Sequence, residues 1–195
     1  MARIVTRRQK TRPASGAPVR GPEPGPAKGK GLIRSLARGF ARTGKARPIE
    51  AATGHVREPA ACKRCGAVFS RRVWRRDRAP SMALLDRVTW TTCPGCVQVK
   101  EETGYGRVRV LGAFAREHED VIRRRVANVA ARAARTEPER RIASIERAGD
   151  ALEIITTSQK VAHRIVRELK KLYRGRARYE WSDDGTLFAT WTRER

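Results

Sequence analysis

Residues 61–70 read Ala61-Cys62-Lys63-Arg64-Cys65-Gly66-Ala67-Val68-Phe69-Ser70, and 27 residues after Cys65 the same spacing returns in Thr92-Cys93-Pro94-Gly95-Cys96-Val97. The two CxxC pairs hold all four cysteines of the 195-residue chain. Two intervening residues let both sulfurs of a pair face one ion from a single tight turn. Gly66 and Gly95 supply the backbone freedom such turns need. Two turns at the tips of two hairpins then close a tetrahedral site. The spacing therefore predicts a zinc ribbon with Zn²⁺ on Cys62, Cys65, Cys93 and Cys96. A closed four-thiolate site leaves no position for water, so it builds structure and does no chemistry. An iron–sulfur cluster uses the same ligands and is the main competitor. A redox pair or two disulfides fit less well, because no βαβ pattern surrounds either pair and no secretion signal precedes them. His55 and His118 could each substitute as a ligand, but both read as surface histidines.

The charge of the chain points to its partner. Lys and Arg number 44 against 20 Asp and Glu, a formal net charge of +24 with a pI near 11.4. So much unneutralised positive charge opposes the compact state and calls for a polyanion. An anionic membrane surface would satisfy the same charge. No apolar run is long enough for a transmembrane helix, and no apolar stretch follows Met1 as in a secretory signal. These features predict a cytoplasmic protein.

Three regions follow from composition. Residues 1–56 form a basic arm, with 13 Lys and Arg against Glu23 and Glu50 in the first 50 residues. Its Pro/Gly-rich piece from Pro13 to Lys30 cannot offset its ordering entropy by burial and is expected to be disordered. Leu32, Ile33, Leu36 and Phe40 have the spacing of a short amphipathic basic helix that forms on a partner. Residues 57–106 form the zinc ribbon, with strand pieces at Val68-Phe69, Val73-Trp74 and Val88 to Thr92. Residues 107–195 form an α+β domain.

In that third region, Val108 and Val110 mark a short strand, and Ile122, Val126, Val129 or Ala130, and Ala133 mark a helix from Ala115 to Ala134. Arg141–Arg147 and Ala151–Thr157 form a hairpin about Gly149. Ser158 caps a helix whose stripe is Val161, Ala162, Ile165, Val166, Leu169, Leu172 and Tyr173. A last hairpin turns at Asp184-Gly185. The order predicts a small antiparallel ββαββ unit with a helix packed on one face of the sheet.

Two surfaces read as phosphate-binding. On the ribbon, Lys63, Arg64, Arg71, Arg72, Arg75, Arg76 and Arg78 surround Trp74, with no acid among them until Asp77. A ribbon has almost no core, so those cations lie on its surface. Trp74 either stacks on an unpaired base or covers the small core. On the helix after Ser158, Lys160, Arg164, Arg167, Lys170, Lys171 and Arg174 lie off the apolar stripe, offset only by Glu168. No phosphate-binding loop, nucleophile elbow or zinc-protease motif occurs. Glu137 and Glu139, which flank Pro138, are expected to be solvated.

The two CxxC pairs, the segment from Gly104 to Phe114, the charged helix, and the hairpin running from Leu152 into the helix start at Thr157-Ser158-Gln159-Lys160-Val161-Ala162 together resemble a known family. It is the archaeal and eukaryotic adaptor family for nuclear export of the large ribosomal subunit. The same layout resembles a small, uncharacterised bacterial zinc-ribbon family. The resemblance covers about residues 60–192. It implies zinc on the four cysteines and a surface for ribosomal RNA or ribosomal protein. The basic arm is not part of that pattern, and the further domains and export signals that the family carries are not expected in this chain, so an export role is not carried over. The expectation is a non-enzymatic, ribosome-associated RNA-binding protein. A DNA-binding transcriptional accessory protein and a protein–protein adaptor are the alternatives.

Overall fold

The computed structural model describes residues 56–76 and 86–195. The basic arm with its expected helix, His55 and Arg78 lie outside the described residues.

The cysteine module is a small four-stranded sheet. Strands β1 (Ala60–Cys62), β2 (Val68–Ser70) and β3 (Val73–Arg75) form an antiparallel meander, and β4 (Thr89–Thr91) joins β1 on its other edge. β4 runs parallel to β1, pairing Trp90 with Ala61. The second cysteine pair is therefore not at a hairpin tip, as the spacing suggested. It opens helix α1 (Pro94–Glu101), with Cys93 at the N-cap position and Pro94 in the first turn. Proline fits there because its missing N–H has no partner to lose and its fixed φ suits a helix start.

The second sheet has five strands in the order β6-β7-β5-β9-β8. Its members are β5 (Gly106–Leu111), the hairpin β6 (Ile142–Ala148) and β7 (Ala151–Thr156), and the hairpin β8 (Arg176–Trp181) and β9 (Leu187–Thr192). The two hairpins form where Gly149 and Gly185 provide positive φ. They do not pair with each other, however. β5 lies between them, antiparallel to β7 and parallel to β9. The sheet is thus mixed, which corrects the antiparallel ββαββ expectation. Val108 and Val110 of β5 are fully buried, and a strand that apolar on its core face gains most from the centre of the sheet.

The long helix expected from Ala115 breaks at His118 into α2 (Ala113–Glu117) and α3 (Glu119–Thr136). The turn places Phe114 against Tyr173 and Trp191, with ring centroids 5.4 and 6.2 Å apart, while α3 buries Ile122, Val126 and Val129. Helix α4 (Gln159–Tyr173) packs on the same core through Val161, Ala162, Ile165, Val166 and Leu169. Leu172, expected in that stripe, is 44% exposed because it falls beyond the edge of the contact. Trp191 is fully buried in this core, and its Nε1 donates a 2.8 Å hydrogen bond to the Arg174 carbonyl. Each buried Val, Leu or Ile contributes about 1.5–3 kcal/mol. Packing alone can therefore hold this sheet. The cysteine module differs: its buried cluster is Ala60, Cys62, Ala67, Trp74, Cys93 and Cys96, half of it cysteine.

The two sheets are joined directly. Gly95 of α1 lies against the backbone of Glu139, where an added Cβ would fall 2.7 Å from the Glu139 Cα. Its lack of a side chain thus serves close approach rather than turn geometry. Gly66, at φ +69°, does supply turn geometry, and its N–H donates to the Cys62 carbonyl at 2.9 Å.

Candidate metal centre and nucleic-acid interface

β1 delivers Cys62, the turn after it delivers Cys65, and the start of α1 delivers Cys93 and Cys96. The four sulfurs all lie within 4.8 Å of one another, and Cys65 Sγ and Cys93 Sγ are 3.7 Å apart. All four are free of disulfides. Sulfurs bound tetrahedrally at about 2.3 Å to one ion sit about 3.8 Å apart. This set could therefore hold a single metal ion.

The electrostatics divide the thiols: Cys62 is held toward the thiolate, while Cys93 and Cys96 are held neutral. Burial alone would raise the Cys62 thiol, but hydrogen bonds from the backbone of Cys93, Arg64 and Cys65 more than offset it, leaving a pKa of about 6. The Cys93 N–H lies 3.3 Å from Cys62 Sγ. Burial pushes Cys96 up to about 11 and raises Cys93 as well, despite hydrogen bonds that pull the other way. A metal would have to displace protons from those two thiols, so binding is coupled to proton release.

Arg141, at the edge of β6, completes the centre. Its Nη1 lies 3.5 Å from Cys96 Sγ, and its Nη2 is buried without a hydrogen-bond partner among the described residues. A guanidinium held half-buried beside neutral thiols would be an uncompensated charge. Four thiolates around a divalent cation carry a net charge of −2, which supplies the missing counter-charge. Arg64 also braces the site, donating to the Cys96 carbonyl at 3.4 Å. Arginine near the first pair therefore has a structural reason besides any phosphate. Arg141 could not be found from the cysteine motif, because it lies 45 residues from Cys96 in the chain.

The surface cations of the module divide by position. Lys63, Arg64, Arg71, Arg72, Arg75 and Arg76 are exposed, as expected. Trp74 is not: it is 5% exposed and packs on Phe69 at 5.1 Å between ring centroids. It covers the module's core and cannot stack on a base, which corrects its assignment to nucleic-acid binding. The exposed tryptophans are Trp90 on β4 and Trp181 on β8.

Arg71 and Arg72 form the tip of the β2–β3 hairpin, where Ser70 pairs with Val73. Both have positive φ, 50° and 61°. A two-residue turn of this form favours Asn-Gly, and each ordinary L-residue in it costs about 1–2 kcal/mol. The Glu58 carboxylate partly offsets that cost by accepting the Arg71 and Arg72 N–H groups at 2.9 and 2.7 Å. Replacing Arg71 and Arg72 together by Asn and Gly should stabilise the metal-loaded protein by about 1–2 kcal/mol in denaturant unfolding. The same pair of changes should weaken polyanion binding. Loss of both stability and binding would mean that these arginines hold the hairpin rather than serve a partner.

On α4, Lys160, Arg164, Arg167, Lys170 and Lys171 are exposed and have no ion-pair partner among the described residues. Glu168 does not offset them. It is turned toward α3, where Arg125 and Arg132 pair with it. The helix thus carries a cationic stripe about 16 Å long from Lys160 to Lys171. His163 is exposed in that stripe, and its ring lies tilted against Tyr179, with centroids 5.1 Å apart. His118 is not part of the cysteine cluster; its ring lies tilted against Phe114, with centroids 4.4 Å apart. Glu139 is more buried than expected: burial, and then the charge of Glu137, push its carboxyl above the usual range. Its backbone carbonyl accepts from Thr157 Oγ1 at 2.6 Å, so the residue fixes the junction between the sheets. No helix among the described residues is long and apolar enough to cross a membrane. The chain matches no protein-family model, no curated protein and no solved structure.

Proposed function

We propose that this chain is a non-enzymatic RNA-binding protein whose cysteine module holds Zn²⁺ and whose partner is ribosomal RNA. One observation carries the reading: a dense set of exposed cations on the cysteine module and on α4 makes no side-chain ion pair among the described residues, on a chain of net charge +24. Such cations repel one another unless a polyanion neutralises them. Zinc is favoured over an iron–sulfur cluster because the four sulfurs crowd around one point. A cluster of several irons would hold them further apart. The ion would build the module and present its arginines, with no open coordination position for a reaction. Structured RNA is favoured over duplex DNA by the resemblance to the ribosomal-subunit adaptor family across residues 60–192. The ribosomal assignment rests on that resemblance as well.

A competition experiment tests this reading. The zinc-loaded full chain is bound to a labelled fragment of ribosomal RNA and challenged with unlabelled RNA or duplex DNA at equal phosphate concentration. RNA should displace the label at a concentration at least tenfold lower than DNA. Equal or better displacement by duplex DNA would favour the DNA-binding accessory reading instead.

A further inference from the structure

Strand β8 lies at the edge of the five-stranded sheet, and its alternation puts Ala177, Tyr179 and Trp181 on the face that carries α4. Residues so placed are normally covered by the helix. α4 instead sits over the centre of the sheet, and its flank leaves a groove beside β8. Trp181 lines that groove and is 55% exposed, while Tyr179, 37% exposed, lies against the His163 ring. The groove has a volume of about 410 Å³ and is walled by Lys160, His163, Arg164 and Arg167. That size is in the range of sites for a ligand as large as one nucleotide.

The groove is held in shape from several sides. Gln159 at the start of α4 donates to the Gly185 carbonyl in the β8–β9 turn. The His163 ring lies tilted against Tyr179. Asp184 in that turn accepts from Ser182 Oγ and from the Thr186 N–H at 3.0 Å, both on its Oδ1, which ties the carboxylate to the turn. A half-exposed indole beside guanidinium groups is the combination that receives a base on its π-face and the adjoining phosphates on the cations. In structured RNA such a base is an unpaired one, splayed from a loop or bulge amid dense phosphate.

From this juxtaposition we infer that the α4–β8 groove binds one unpaired nucleotide of single-stranded RNA, with its base stacked on Trp181 and the flanking phosphates on Arg164 and Arg167. The inference rests on the RNA-binding reading above and makes it specific. The cysteine module supplies sequence-independent phosphate contacts, and the groove supplies the preference for unpaired bases.

The test uses the zinc-loaded full chain with three probes: a 12-residue oligouridylate, a fully paired RNA duplex and the oligothymidylate of equal length. Three variants are compared, Trp181→Ala, Trp181→Phe and the pair Arg164→Gln with Arg167→Gln. Trp181 is on an edge strand and half exposed, so unchanged circular dichroism and melting are expected and verify the fold. Trp181→Ala should weaken oligouridylate binding about tenfold and duplex binding less than twofold. Trp181→Phe should restore most of the loss. The double arginine variant should weaken the oligouridylate and flatten its salt dependence. Equal loss on both RNAs, or none on oligouridylate, would overturn the groove while leaving RNA binding itself standing. Equal binding of oligothymidylate would overturn its assignment to RNA. Displacement by an acidic peptide of equal charge as effective as by oligouridylate would overturn a nucleotide occupant. Failure of the unaltered protein to bind any nucleic acid would overturn both this inference and the RNA-binding reading.

Discussion

Cys93→Ser should leave the protein without its metal and the cysteine module without its fold. Cys93 is fully buried, at the N-cap of α1 and 3.7 Å from Cys65 Sγ. A serine hydroxyl is a poor ligand for zinc, and three thiolates leave the ion open to water and to loss. The remaining core of this module is Ala60, Ala67 and Trp74 with the other cysteines, too little to offset the entropy of ordering its strands. Structural zinc supplies about 10–16 kcal/mol of apparent binding free energy in small modules, and most of that is folding free energy. Zinc content should fall from about one ion per chain to nearly none, and strong chelators should produce the same state in the unaltered protein.

The loss should be confined. The core of the five-stranded sheet contains no cysteine, so slow amide exchange in β5, β7 and β9 should persist. The start of β6 should loosen, because Arg141 loses its anionic partner beside Cys96. Zinc affinity of the unaltered protein should also fall steadily as pH is lowered from about 11, since Cys96 and Cys93 are protonated below that value until a metal displaces their protons, and more steeply below about 6, where Cys62 is protonated as well. A Cys93→Ser protein that keeps a full zinc load and its exchange protection around α1 would contradict this account of the centre.

Binding of ribosomal RNA should fall by a factor of about 10³ or more between 50 and 200 mM monovalent salt, as expected when about 6–10 phosphates are contacted. The candidate contacts are Lys63, Arg64, Arg71, Arg72, Arg75 and Arg76 on the module, and Arg164, Arg167, Lys170 and Lys171 on α4. All ten are exposed. Each contact releases condensed counterions, so the logarithm of the binding constant should fall linearly with the logarithm of salt. Changing Arg75 and Arg76 to Gln should lower the slope by about 2 without altering preference among RNA sequences, because phosphate contacts position and do not specify. Arg64 should behave differently. It also braces the Cys96 carbonyl, so its removal should cost stability as well as binding. A slope near zero would mean that the charge serves something other than a polyanion.

The local features were legible because each has a short-range cause. The stripe Val161, Ala162, Ile165, Val166 and Leu169 is a helical period and is buried as one. Gly149 and Gly185 mark turns that only their backbone freedom makes cheap, and hairpins form at both. The cysteine spacing brings four sulfurs together across 27 intervening residues because a CxxC turn serves one ion whichever element carries it.

The illegible features depend on which elements meet. Nothing in the Val108/Val110 alternation says that β5 separates two hairpins and runs parallel to β9. That order is decided by which strands are apolar enough for the centre. Trp74 and Trp181 both lie in arginine-rich strands, yet one covers a small core and the other lies past the flank of a helix. The difference is set by sheet width and helix position. The helix after Cys93 was visible in principle, since Pro94 directly follows a potential cap. The ribbon pattern outweighed that signal.

The most direct test of the account is recovery of the tagged full chain from a cell lysate across a salt series, with and without nuclease, with bound RNA sequenced and bound metal weighed. The account predicts ribosomal RNA at low salt, lost on nuclease treatment and on raising salt, together with one zinc per chain. Absence of RNA at every salt concentration, or iron in place of zinc, would contradict it.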